Sequence, residues 1–79
     1  MPPALSDLEL QVMKLFWSHG ALAVRQAQEK LAGEKPLAYT TIQTIIYRLE
    51  AKGALRRTRK IGNAHIFEAA ISSDAMGRP

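Results

Sequence analysis

The chain has 79 residues, enough for one small domain that buries only about 60% of the surface its unfolded form exposes. Hydrophobic residues make up 47% and charged residues 23%, which excludes a disordered chain and predicts a globular one. The absence of cysteine excludes disulfides and thiolate metal sites and indicates the reducing cytoplasm. No apolar run approaches the ~20 residues of a membrane helix and no secretory signal is present, so we expect neither membrane insertion nor export.

The net charge of +4 is concentrated in one short segment. Residues 48–60 carry a net charge of +5, whereas residues 1–47 are balanced and residues 61–79 carry −1. The basic residues of that segment are Arg48, Lys52, Arg56, Arg57, Arg59 and Lys60. This concentration indicates a polyanionic partner, and a solvated basic face without a partner is the alternative.

The first predicted element is a helix over about residues 7–18. Ser6 and Glu9 have the spacing of a capping box, in which each side chain bonds to the backbone amide of the other. Gly20 is expected to end the helix in the left-handed conformation. Trp17 lies on the apolar side of the helix, where a core position is favoured over stacking on a nucleic-acid base.

Residues 21–23 are too short for more than an extended connection, and a second helix is predicted from Val24 to Leu31, ending near Gly33. Ala23 precedes it as a poor N-cap, so the helix lacks the ~1 kcal/mol that Ser, Thr or Asp would contribute there. Pro36 then interrupts the helical pattern.

A third helix is predicted over about residues 39–52, because four apolar residues repeat at helical spacing before Gly53. These residues are Ile42, Ile45, Ile46 and Leu49. A strand is the alternative for such a β-branched segment, but period-two alternation would place the adjacent isoleucines on opposite faces. Thr40 and Gln43 have the spacing of a second capping box.

After residue 54 the period changes to about two, which predicts a β-hairpin. One set of alternating residues is Leu55, Arg57, Arg59 and Ile61, and the other is Arg56, Thr58 and Lys60. Gly62-Asn63 is a two-residue turn signal, and residues 64–69 return with Ile66 and Phe67 available for the core. We expect a domain over residues 1–71 and a flexible tail over residues 72–79.

Three helices followed by a basic hairpin predict a mainly α (α+β) fold, the winged helix-turn-helix. The outward side of its third helix is polar and uncharged, so it can approach base edges in the major groove of DNA. Gln43 suits a bidentate contact to adenine, and Thr40 and Thr44 suit base acceptors or a thymine methyl group. Thr41 has two readings, as another such contact or as a residue that caps the helix start.

Arg48 and Lys52 lie further along this helix and are expected to meet phosphates. Tyr47 either bonds a phosphate through its hydroxyl or only covers the helix surface. The hairpin would be the wing, with about half of its cations contacting DNA because alternate strand residues face opposite ways. The predicted DNA-binding set is Tyr39, Thr40, Thr41, Gln43, Thr44, Tyr47, Arg48, Lys52, Arg57, Arg59, Lys60 and Asn63.

Other functional classes find little support. His65 is read as a partly exposed strand residue, and with His19 remote in sequence we expect no metal and no cofactor. Paired carboxylates on one face and a phosphate-binding glycine loop are both missing, so we expect no enzyme. The alternative function is a winged helix that binds protein or RNA, although only Tyr39 and Tyr47 are candidates for stacking on RNA bases.

The assembled motifs resemble the penicillinase-repressor family, the BlaI, MecI and CopY group, over about residues 5–70. The segments that carry the likeness are Ser6-Asp7-Leu8-Glu9, Val12-Met13, Trp17, Val24-Arg25-Gln26, Leu37-Ala38-Tyr39-Thr40-Thr41-Ile42-Gln43-Thr44, Arg48-Leu49 and Lys52-Gly53. The resemblance implies a repressor, dimeric at full length, whose third helix and wing bind palindromic double-stranded operators. Family members usually continue into a helical dimerisation region beyond the length of this chain, and Ala23 stands where they commonly have threonine or serine.

Overall fold

Three helices pack against a small antiparallel sheet in the computed structural model, which describes residues 4–33 and 36–73. The elements in chain order are α1 (Asp7–His19), β1 (Leu22–Ala23), α2 (Val24–Leu31), α3 (Tyr39–Ala51), β2 (Leu55–Ile61) and β3 (Ala64–Ala69). The predicted winged helix-turn-helix plan is confirmed, with β2 and β3 as the wing. Residues 74–79 of the expected tail lie outside the described residues.

The capping box at the start of α1 is confirmed. The Ser6 hydroxyl accepts from the Glu9 amide at 3.2 Å, and the Ser6 amide donates to the Glu9 carboxylate at 2.9 Å. The prediction for Gly20 was only partly right: its φ of 82° is positive, but its ψ of −144° lies outside the left-handed helical region. This extended ψ directs the chain straight into β1, which begins at Leu22.

The segment before α2 is more than a connection, which corrects the sequence prediction. Leu22 pairs with Phe67 and Ala23 pairs with Ile66, so β1 adds a third strand to the sheet in the order β1-β3-β2. Ala23 caps α2 without a side-chain bond, as expected, but its own amide donates to the Gln26 side chain at 2.9 Å. Because β1 leads directly into α2 and pairs with β3, the N-terminal end of α2 is held at the base of the wing.

Helix α3 has the predicted position and excludes the strand alternative. Its N-cap is Ala38, so the predicted Thr40–Gln43 capping box is wrong, because Thr40 already lies inside the helix. The Thr44 hydroxyl instead donates to the Thr40 carbonyl at 2.9 Å. The helix ends at Ala51, one residue earlier than predicted.

The core lies between α1, α3 and the sheet. Its largest fully buried side chains are Phe16, Phe67, Met13, Ile42, Ile46, Leu49, Leu55 and Val12. Burying each contributes about 1.5–3 kcal/mol, which fixes the rotation of α3 and leaves its polar side outward. Trp17 packs against this core, as predicted, and its indole N–H donates to the Ile71 carbonyl at 2.9 Å.

A β-bulge interrupts the wing. Arg57 pairs with Phe67 but Arg59 pairs with Ile66, so Thr58 is an extra residue in β2. The predicted simple alternation is therefore wrong beyond Thr58. The turn at Gly62-Asn63 is confirmed, and the positive φ of 59° at Gly62 alone fits a turn with glycine in first position.

No helix in the described part of the chain is both long and apolar enough to cross a membrane.

Candidate nucleic-acid interface

The polar side of α3 is open to solvent. Thr40, Thr41 and Thr44 are exposed, Tyr47 is 41% exposed, and Gln43 is half-buried. We call these five residues the front of α3. Because the four apolar residues on the opposite side of the helix fill the core, the front is held in one orientation and can meet another molecule.

The front has two flanks of different character. Its threonines border a shallow depression beside α1, which is also lined by Leu8 and Arg48. Gln43 and Tyr47 instead border a groove between α3 and the wing tip. Both depressions are open to solvent, so a molecule bound at the front of α3 can contact the helix from the α1 side and from the wing side.

The groove between α3 and the wing contains apolar as well as polar surface. The large exposed hydrophobic residues found among the described residues are Tyr39, Tyr47 and Ile61, and all of them line this groove. Asn63, at the wing turn, and half-buried His65 lie on its wing side. A nucleic-acid backbone, with its apolar sugars and charged phosphates, would match this mixture of apolar and polar surface.

Gln43 and Tyr47 are bonded to each other. The Gln43 Nε2 donates to the Tyr47 hydroxyl at 3.2 Å, and the Tyr47 ring lies 6.2 Å from the Phe67 ring at 46°. Of the two readings of Tyr47, the ring does cover the surface between α3 and the wing. Its hydroxyl is already occupied as an acceptor in the unbound protein.

The bulge at Thr58 distributes the wing cations over both faces. Arg57 and Lys60 pair with Phe67 and His65, whose face of β3 is the one turned to the helices. Arg59 pairs with Ile66 and therefore lies on the opposite face of the wing. Without the extra residue, Arg57 and Arg59 would share a face.

Three of the basic residues of segment 48–60 are neutralised by carboxylates. Arg57 Nε lies 2.9 Å from Glu50 Oε2, and Arg56 forms an ion pair with Glu68 across the two wing strands. Lys52 is the third, through Glu9. Within residues 4–33 and 36–73, Arg48, Arg59 and Lys60 form no ion pair, so their charges are available to a polyanion.

Lys52 joins the end of α3 to the start of α1. Its ammonium donates to the Glu9 carboxylate at 2.7 Å and to the Ala4 carbonyl at 3.1 Å. Glu9 is only 6% exposed, and the hydrogen bond from Lys52, with that from the Ser6 amide, holds the pKa of Glu9 below its ordinary value. These bonds argue against the predicted phosphate contact for Lys52.

Arg25 is a candidate that the sequence reasoning missed. It is exposed near the start of α2, and its Cζ lies 5.8 Å from the Tyr39 ring centroid. Both residues line the groove on the side opposite the wing. The available signal was its place at the start of the helix before α3, on the side away from the buried Val24 and Ala27.

No three His, Cys, Asp or Glu side chains come together as metal ligands in the described ranges.

An exposed polar helix front, flanked by a cationic hairpin on a three-helix frame, defines a winged helix-turn-helix domain of the DNA-binding type. The penicillinase repressor family model matches residues 5–79, and the chain belongs to this family. The family consists of transcriptional repressors and not of enzymes.

Two curated relatives illustrate the match. The chain is 36% identical over 65 residues to the penicillinase repressor of Bacillus licheniformis, covering 82% of this chain and 50% of the relative. It is 41% identical over 73 residues to the transcriptional regulator BlaI of Mycobacterium tuberculosis, covering 91% of this chain and 52% of the relative. The chain thus spans about half the length of the curated relatives it matches.

Solved structures agree in fold. The solution structure of the DNA-binding domain of the repressor BlaI has a TM-score of 0.80 and 33% identity, covering 92% of this chain and 88% of that one. The Bacillus licheniformis BlaI monomeric form in complex with the blaP half-operator has a TM-score of 0.76 and 32% identity, with coverage of 94% and 89%. The resemblance inferred from the sequence motifs is confirmed.

Proposed function

We propose that this chain binds double-stranded DNA in a sequence-dependent manner and is the DNA-reading part of a transcriptional repressor. The observation that carries the proposal is the exposed, uncharged front of α3, with unpaired cations on both of its flanks. A helix with such a surface can enter a major groove about 12 Å wide and present hydrogen-bonding groups to base edges. The solved complex of a related repressor with a half-operator supports this choice of partner.

Base readout is assigned to the front of α3. Gln43 carries both a donor and an acceptor and suits the N6 and N7 edge of adenine. Thr40 and Thr41 are exposed on the α1 flank, where their hydroxyl and methyl groups suit base acceptors or a thymine methyl. The hydroxyl proton of Thr44 is donated to the Thr40 carbonyl, so its exposed methyl suits a thymine methyl. The Tyr47 hydroxyl supports Gln43 by accepting from its amide, and its own O–H proton remains able to donate to a phosphate.

Phosphate contacts are assigned to the cations that form no ion pair within the part of the chain that the structure describes. Arg48 lies beside the threonine flank and Arg25 beside Tyr39 at the edge of the groove. Lys60 and Arg59 lie on opposite faces of the wing, so a wing tip inserted in the minor groove would bring one to each phosphate strand. Asn63 at the tip would meet the floor or wall of that groove.

Assembly and location follow from the same proposal. The full-length protein would place two such domains on a palindromic operator, with recognition helices about 34 Å apart, one turn of DNA. The domain would occupy residues 1–71. A repressor acts where the chromosome lies, so we place the protein in the cytoplasm.

Selection of bound duplexes from a random DNA pool tests the proposal. We expect a defined half-site for the unchanged protein, and the Gln43→Ala variant should lose preference at one base pair while retaining the rest. Gln11→Ala is the matched control, because Gln11 lies in the groove between α1 and α2, away from the front. An unenriched pool, or equally tight binding of RNA hairpins, would contradict the proposal.

A further inference from the structure

One stripe of α3 faces the wing. Gln43, Tyr47 and Glu50 are spaced by four and then three residues, so they lie above one another on the helix surface. All three contact either each other or Arg57 of the wing. The stripe therefore connects the proposed base-reading residue to the wing through one intervening side chain, that of Tyr47.

Arg57 is the centre of this connection. Its Nε donates to Glu50 at 2.9 Å, and its Cζ lies 5.3 Å from the ring centroid of Tyr47 and 5.4 Å from that of Phe67. Its side chain is 39% exposed. A guanidinium that is paired with a carboxylate and faces two rings has its geometry fixed and its charge largely compensated.

Given the proposed function, we infer that Tyr47 and Arg57 are positioning residues that hold the Gln43 amide ready for base reading. The wing thereby contributes to sequence discrimination without touching the base. Arg57 acts through Tyr47, since its ring contacts orient the phenol, and Tyr47 acts through its hydroxyl, which accepts from Gln43.

The chemistry of the amide supports this assignment. A free glutamine side chain samples many rotamers and loses conformational entropy when it binds a base. A partner that already selects one rotamer reduces this entropy loss on binding. The bond to Tyr47 uses one of the two N–H groups of Gln43 and leaves the other N–H and the carbonyl oxygen free. These are the donor and the acceptor that the major-groove edge of adenine requires.

The Tyr47→Phe variant tests the inference, because it deletes the hydroxyl and keeps the ring that Arg57 and Phe67 contact. Binding is measured to the selected half-site and to duplexes altered at each base pair in turn. Discrimination at the base pair read by Gln43 should fall about fivefold, the lower end of what a bidentate contact provides. Discrimination at the other base pairs, and the salt dependence of binding, should remain unchanged.

Two further variants separate positioning from general damage. Gln11→Ala removes a polar side chain in the groove between α1 and α2, away from the front of α3, and should leave discrimination at that base pair unchanged. Arg57→Lys keeps the positive charge but loses the planar fork, so it should resemble Tyr47→Phe. In a Gln43→Ala background, Tyr47→Phe should have no further effect on discrimination, since the side chain that it positions is gone.

Nuclear magnetic resonance of the free protein gives a readout that needs no DNA. The side-chain amide protons of Gln43 should shift in Tyr47→Phe and Arg57→Lys and stay in place in Gln11→Ala. The inference is overturned if these signals do not move, or if Tyr47→Phe weakens all duplexes equally. A Gln43→Ala variant without altered base preference would instead overturn the proposed function.

Discussion

The salt dependence of DNA binding should distinguish the interface cations that have no ion pair among the described residues from those that are paired. Four cations at the proposed interface, Arg25, Arg48, Arg59 and Lys60, form no ion pair with the described residues. If each neutralises one phosphate, log Kobs should fall with log[salt] with a slope of about −3.6. Between 50 and 200 mM salt the affinity of one domain should then fall roughly 150-fold.

Removing one of these charges has a defined effect. Lys60→Gln should reduce the slope to about −2.7, so that the same change in salt weakens binding only about 40-fold. Arg56→Gln is the matched control on the same strand, because Arg56 is already paired with Glu68. Its slope should remain near that of the unchanged protein.

Fluorescence anisotropy of a labelled half-site duplex, titrated at several salt concentrations, provides both slopes. The comparison should be repeated with a random duplex, where the same loss is expected because phosphate contacts carry no sequence information. A slope that is unchanged in Lys60→Gln, or reduced equally in Arg56→Gln, would refute the sorting of cations by ion pairing.

Three stability predictions use urea unfolding as the common measurement. The pKa of Glu9 is lowered from about 4.5, chiefly by Lys52. Ionised Glu9 therefore stabilises the fold above that pH, and this stabilisation is lost as the pH falls through the pKa of Glu9 in the folded protein. Glu9→Gln should therefore destabilise the protein more at pH 7 than at pH 3, and an equal loss at both would contradict the ion pair. Phe67→Ala should lower the free energy of unfolding by about 3–5 kcal/mol and Phe67→Leu by less, whereas equal small losses would place the ring outside the core. Ala23→Ser should raise the free energy of unfolding by about 1 kcal/mol, because the new hydroxyl can accept from the Gln26 amide and cap α2. The absence of any gain would show that the hydroxyl does not make this bond.

Local signals explain why the helices could be located from the sequence. The bounds of α2, Val24–Leu31, agree with the prediction, and those of α1 and α3 differ by one residue at their ends. Capping residues, glycines and apolar spacing act within a few residues of each other. The front of α3 followed from the same spacing, since residues opposite a buried stripe must face outward.

Features that depend on distant residues were not accessible in this way. Strand β1 has only two residues and exists because β3, more than forty positions later, offers it an edge. The Lys52–Glu9 ion pair joins positions 43 apart, so a count of basic residues could not show that Lys52 was already neutralised. Arg57 illustrates the same difficulty, because its partner Glu50 lies on another element. Charge counting located the basic segment but could not separate its paired members from those without an ion pair among the described residues.

The bulge in β2 also bears on how wings of related chains should be compared. A relative whose strand lacks the extra residue at Thr58 would turn every side chain between that point and the hairpin turn to the other surface of the ribbon. Matching such wings by column in a gapless alignment would equate Lys60 with a residue of opposite orientation. A single inserted residue can therefore change which side chains a wing presents on each surface, with no substitution at the positions compared.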